Sequence, residues 1–116
     1  MDVAVAIVSL LLAALLTFSA VRKLSHRPVV VATYTRVGVP EDKLDILAYI
    51  LLAGAAGLTV GLVWTPVGIA AAAGVVTYFA LAIASHIRAD DIAGLPTPLT
   101  VELLAIAALT LRLATL

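Results

Sequence analysis

The chain contains no cysteine. That absence excludes disulfides, thiolate catalysis, Cys-ligated zinc and iron–sulfur clusters, and it leaves the redox compartment open. Charge is also scarce: seven Lys or Arg and seven Asp or Glu in 116 residues, for a net charge of zero. So sparse and balanced a set gives no footprint for nucleic acid. The two histidines lie far apart in the chain. Without a partner at i, i+4 they make no metal site. No glycine loop suited to phosphate and no supported serine–histidine–acid spacing is present. What remains is hydrocarbon: 64% of the residues are hydrophobic and the mean hydropathy is +1.21. Small domains have the most surface per residue. A sequence this apolar cannot cover that surface with polar groups in water, and lipid removes the requirement.

A helix needs roughly 20 apolar residues to cross about 30 Å of hydrocarbon. Segments 3–21, 44–63, 66–87 and 98–115 meet that length or nearly so. The expected fold is all-α: a single transmembrane domain over residues 1–116, built as an integral membrane four-helix bundle with little outside the bilayer. The first span stops at Arg22 and Lys23. It lacks the basic leader and cleavage site of a secretory signal, so it is expected to be retained. Pro40, Glu41 and Asp42 lead into the second span, where acids complement the helix dipole. Thr65-Pro66 and Thr97-Pro98 each read as an N-cap followed by the first helical residue. The turn around Trp64 is short, so the second and third spans are antiparallel neighbours, with Trp64 at the membrane interface. Between the first two spans, Pro28 can open and Gly38 close a short helix. We read it as interfacial, lying along the membrane. The alternative is an ordered loop packed on the bundle.

Arg22, Lys23, Arg27, Arg36 and Lys43 all fall between the first and second spans, and Arg88 between the third and fourth. The positive-inside rule then puts both connections in the cytoplasm and both termini outside. Arg112 sits close enough to the C-terminus to snorkel. Ala53, Gly57 and Gly61, spaced by four, and the small residues at 70–74 mark close helix contacts. These serve either a dimer or packing inside one bundle. The second fits better, since both helices already have neighbours in the chain.

Ionisable residues inside a membrane are expensive and usually functional. Arg22, Lys23, His26, His86, Arg88 and Glu102 are expected to gather at the cytoplasmic face, where the two hairpins end. Glu102 lies about one turn inside the fourth span. A carboxylate that deep needs a partner or a proton, and Arg22, Lys23, His86 and Arg88 are at compatible depth. The competing reading is a structural salt bridge that fixes helix register. Tyr49 and Tyr78 lie within spans and are candidates to line a cavity. A shift of sixty positions aligns Ser25-His26 with Ser85-His86. A duplicated hairpin would place the two histidines at similar depth.

Several stretches resemble the DoxX-like family of small bacterial membrane proteins. They are residues 18–24 (FSAVRKL), 36–40 (RVGVP), 53–58 (AGAAGL) and 84–88 (ASHIR), in order and at matching spacing. The resemblance implies a four-helix membrane protein of the bacterial cytoplasmic membrane. Some members of that family are subunits of thiosulfate:quinone oxidoreductase, others associate with redox or oxidative-stress partners, and most have no assigned activity. Relatives often carry a glutamate just before the small-residue stretch of the second helix, where this chain has Leu51 or a near neighbour. Chemistry that depends on that acid is therefore not carried over. The leading expectation is a non-catalytic accessory or scaffold subunit, with lipid and other membrane subunits or further copies of itself as partners and no cofactor of its own. The others are a quinone-linked redox subunit, with His86 or Tyr78 as hydrogen-bond donor, and a binder or carrier of a small apolar ligand inside the bundle.

Overall fold

The computed structural model describes residues 3–115. Five α-helices and no strand make up these residues: α1 (Val3–Leu24), α2 (Pro28–Arg36), α3 (Leu44–Val60), α4 (Thr65–Arg88) and α5 (Pro96–Ala114). Single 3-10 turns at Glu41–Lys43 and Ile92–Gly94 lead into α3 and α5. Four of the helices are long and apolar enough to cross a bilayer. They stand as a ring in which α1 packs on α3, α3 on α4, α4 on α5, and α5 back on α1. The pairs α1/α4 and α3/α5 are diagonal. The bundle is 41 Å along its longest axis.

Helix boundaries follow local chemistry. The expected caps Thr65 and Thr97 are instead already helical, with Trp64 and Leu95 in the cap positions and no side-chain cap bond at either. Proline explains the shift before α5: Pro96 has its φ preset for a helix and no N–H to satisfy, so the helix opens there rather than at Pro98. α3 stops at Val60, short of the expected 63, and Gly61 caps it. The short helix ends as expected. The N–H of Gly38 donates to Thr35 O and that of Val39 to Tyr34 O, at 3.1 and 2.9 Å. Gly38 has φ +87°, the left-handed conformation that closes a Schellman motif.

The core is mainly apolar, as in a soluble bundle, but the outer surface is apolar as well. Leu12, Leu16, Leu51, Leu58 and Phe79 are packed inside, but so are many alanines and the ionisable Lys23, His86, Glu102 and Arg112. Large apolar side chains face outward, as with Ile7, Phe18, Leu81 and Leu103. In water such a surface is an aggregation hazard; in lipid it is solvated.

The glycines decide how closely α3 and α4 approach. A Cβ on Gly57 would lie 2.7 Å from Ala71 Cβ, and one on Gly61 would run into the Gly68 backbone. These positions are spent on packing within one bundle. Ala53 is not: it lies on the lipid-facing side of the same helix pair.

Candidate functional site

Two polar regions occupy the bundle, one at each end. The first, at the Trp64 end, was missed in the sequence. Arg112 does not snorkel to the interface: it turns into the bundle and is 3% exposed. Its guanidinium donates to Gly61 O at 3.1 Å, Leu58 O at 2.9 Å and Ser9 Oγ at 2.8 Å. The geometry has a local cause. The chain leaves the helix after Val60, and the N–H groups of Leu62 and Val63 bond to Thr59 and Val60 instead. The Leu58 and Gly61 carbonyls are thus orphans of a helix C-terminus, where a cation also meets the negative end of the dipole. Gly68 makes the room, since a Cβ there would overlap the Arg112 guanidinium. Arg112 therefore ties α5 to its diagonal neighbour α3 and to α1. Its Nε remains buried without an acceptor. A signal for this was present: Arg112 continues the core-facing stripe of Pro98, Val101, Glu102, Ala105 and Ala108.

At the other end, hereafter the α2 end, the candidates divide. Lys23 is 2% exposed. It folds back along α1 to donate to Ser19 Oγ at 2.9 Å and reaches the Tyr34 hydroxyl of α2 at 2.7 Å. It also lies 4.6 Å from the Tyr34 ring centre, so one ammonium pins α2 to α1. His26 follows α1 in the left-handed region, at φ 50°. This places its ring between two acids, with Nδ1 3.0 Å from Glu41 and Nε2 2.7 Å from Asp45. His86 lies inside the last turn of α4 and pairs through Nδ1 with Asp91 at 3.0 Å. The two histidines thus differ in backbone, exposure and partner. Arg22 and Arg88 are exposed and make no side-chain ion pair among the described residues.

Glu102 departs furthest from expectation. It is 8% exposed, and its Oε1 is fully buried with no hydrogen bond. None of the cations proposed for it lies within ion-pair distance. The reason is competition: Lys23 is held by Ser19 and Tyr34, His86 by Asp91, and the two arginines point outward.

The His26 arrangement has a pH signature. Its hydrogen bond to Asp45, then that to Glu41, raise its pKa above the ordinary 6.5. A raised histidine pKa means that the tie is complete below the ordinary imidazole range. It weakens as pH rises through the raised value. The expected NMR titration midpoint of the His26 ring lies above 6.5, and Asp45→Asn lowers it more than Glu41→Gln does. A midpoint indifferent to Asp45→Asn would refute the arrangement.

Between α3 and α4, on the lipid side, runs an apolar trough of about 430 Å³. Its lining includes Ala53, Gly54, Ala70 and Gly74, and Tyr78 is the only lining side chain with a polar atom. The Tyr78 ring packs edge-on against Phe79 at 5.0 Å between centroids, and no hydrogen bond is made by its hydroxyl. Tyr49 is 60% exposed and does not line the trough. A second depression, between α1 and α3, includes Thr17 and Thr59 in its lining. Both hydroxyls are satisfied by their own helix, at Ala13 O and Ala55 O. No group of three or more metal-ligating side chains occurs among the described residues.

Comparison with known families matches residues 7–108 to the DoxX-like family. The match covers most of the chain, and the chain belongs to that family. No curated protein and no solved structure matches it.

Proposed function

We propose, with membership of the DoxX-like family as the premise, that this chain is a non-catalytic accessory or scaffold subunit of a larger membrane complex. The observation that carries this reading is the trough between α3 and α4. Helices associate in lipid where small residues let backbones approach. Ala53, Ala70 and Gly74 offer such a seat on the outside of the bundle, while Gly57, Gly61 and Gly68 are consumed within it. The reading places the protein in the bacterial cytoplasmic membrane. Its Arg- and Lys-rich α2 end faces the cytoplasm and both termini face outside. A redox or respiratory complex is the setting that the family resemblance favours.

The test fills the trough. Nothing lies within 4 Å of a Cβ built at Gly74, so Gly74→Leu is expected to leave the bundle folded. Purified in mild detergent, the native chain is expected to carry a stoichiometric membrane partner. Gly74→Leu is expected to lower recovery of that partner roughly tenfold, the effect of about 1.4 kcal/mol, with helix content unchanged. A native mass equal to this chain alone, or a partner retained by Gly74→Leu, sinks the reading.

Tyr78 supports a second reading of the same trough, as the seat of a quinone or another small apolar molecule. Its unbonded hydroxyl is a donor for a carbonyl at the end of an apolar slot, the usual build of such sites. Extraction of the purified particle decides this. A stoichiometric quinone lost in Tyr78→Phe supports a quinone-linked role, and its absence from the native particle removes it.

A further inference from the structure

The contacts of Arg112 fix a common level in the bundle. Ser9 on α1, Leu58 and Gly61 on α3, and Gly68 on α4 all meet its guanidinium. Moving about ten residues toward the α2 end, roughly 15 Å along each helix, reaches Ser19, residues 48–51, Tyr78 and Glu102. Lys23 folds its ammonium back to that same level by bonding to Ser19. Counted by helical rise, a buried ammonium with one N–H unused and a buried carboxyl with no hydrogen bond therefore lie within about one turn of the same depth, on the adjacent helices α1 and α5.

We propose that Glu102 and Lys23 form a proton-operated latch for α2. With Glu102 protonated, Lys23 stays on Ser19 and Tyr34 and holds α2 against the bundle. When Glu102 releases its proton to the aqueous phase at the α2 end, the ammonium swings to the carboxylate. It then leaves Tyr34, and α2 comes free. The driving force is the large penalty of a buried, unpaired carboxylate. The four-carbon stem of lysine gives the ammonium its reach.

The other charged and titratable groups near the latch are exposed, engaged or remote, and Arg36 of α2 is exposed. Tyr34 on α2 is the second holding point, and Tyr78 of α4 lines the trough between α3 and α4. On α1, Arg22 is exposed. On α3, Tyr49 is exposed and Asp45 is engaged with His26. On α4, His86 is engaged with Asp91. On α5, Arg112 sits at the far end. Lys23 is the one buried cation at the level of Glu102 among the described residues.

Hydrogen exchange of the α2 amides tests the latch, with the full chain in lipid nanodiscs, read as protection factors across a pH series. Protection of α2 is expected to fall roughly tenfold as pH rises, the factor for losing a charge-assisted hydrogen bond. Glu102→Gln mimics the protonated carboxyl and is expected to keep α2 protected at every pH. Lys23→Met and Tyr34→Phe are expected to leave α2 unprotected at every pH while α4 stays protected. His26 also titrates near α2, so Glu102→Gln is the deciding variant. If its protection falls with pH as in the native chain, the response belongs to His26 and the latch is wrong. Protection of native α2 that does not change with pH is equally fatal to it.

Discussion

Gly68→Ala is expected to destabilise the bundle by about 3 kcal/mol or more, although it adds a single methyl group. The Cβ would occupy the space of the Arg112 guanidinium. Displacing it breaks hydrogen bonds of a charged donor, each worth about 1.5–3 kcal/mol, and leaves a buried cation with less satisfaction. Arg112→Met removes the buried charge and leaves only the neutral acceptors Gly61 O, Leu58 O and Ser9 Oγ unmet, so we expect a smaller loss, about 1–3 kcal/mol. The two changes are coupled. In the Arg112→Met background the penalty for Gly68→Ala shrinks, since the group it displaces is gone. It does not vanish, because Gly61 Cα lies 2.9 Å from the built Cβ. Gly74→Ala is the control: its Cβ meets nothing, and the gain in helix propensity is worth up to about 1 kcal/mol. Unfolding followed by circular dichroism in mixed micelles measures all four. A Gly68→Ala protein as stable as Gly74→Ala would show that the guanidinium is not seated there.

Glu102 carries the second large effect, with the opposite sign. Glu102→Leu is expected to stabilise the bundle by about 1–3 kcal/mol, the usual penalty of a buried polar group left without a hydrogen bond. Glu102→Gln keeps the shape and the unmet polarity, so it is expected to be close to neutral. The same unfolding measurement applies, made at an acidic pH at which Glu102 keeps its proton. A loss of more than about 2 kcal/mol on Glu102→Leu would mean that the carboxyl has a stabilising partner, and the account of an unpaired group would fail. A gain would mean that the residue is held against stability, as functional groups in membranes commonly are.

The resemblance to the DoxX-like family was legible in four short stretches, and the family match extends over residues 7–108. The candidate site was legible only as a list. Lys23, His26, His86 and Glu102 do lie at the α2 end, because each sits at or near the end of a span whose length is fixed. Their pairings were not legible. His26 takes its acids from the next connection, in a turn that requires a positive φ. Lys23 chooses a serine on its own helix and a tyrosine on α2 over Glu102. Nearness to the chain end points to a surface position for Arg112, yet the side chain is buried. Depth along a helix says nothing about which way the helix is turned.

The sequence by itself determined that the chain is helical, where its four spans lie, and that its apolar side chains need lipid. These properties are local or compositional: a run of apolar residues either reaches across the hydrocarbon or does not, and proline and glycine mark the ends. Only the tertiary structure decided the rotation and register of each helix. That rotation carried Arg112 inward to the exposed carbonyls of α3, assigned Gly57, Gly61 and Gly68 to internal packing, and left Ala53, Ala70 and Gly74 facing lipid. It also left Glu102 without a partner. The reason is the reach of the side chains. Lysine and arginine extend several ångströms from their backbone and bind whichever carbonyl or hydroxyl the neighbouring helix presents, and that choice is set by packing rather than by position in the chain.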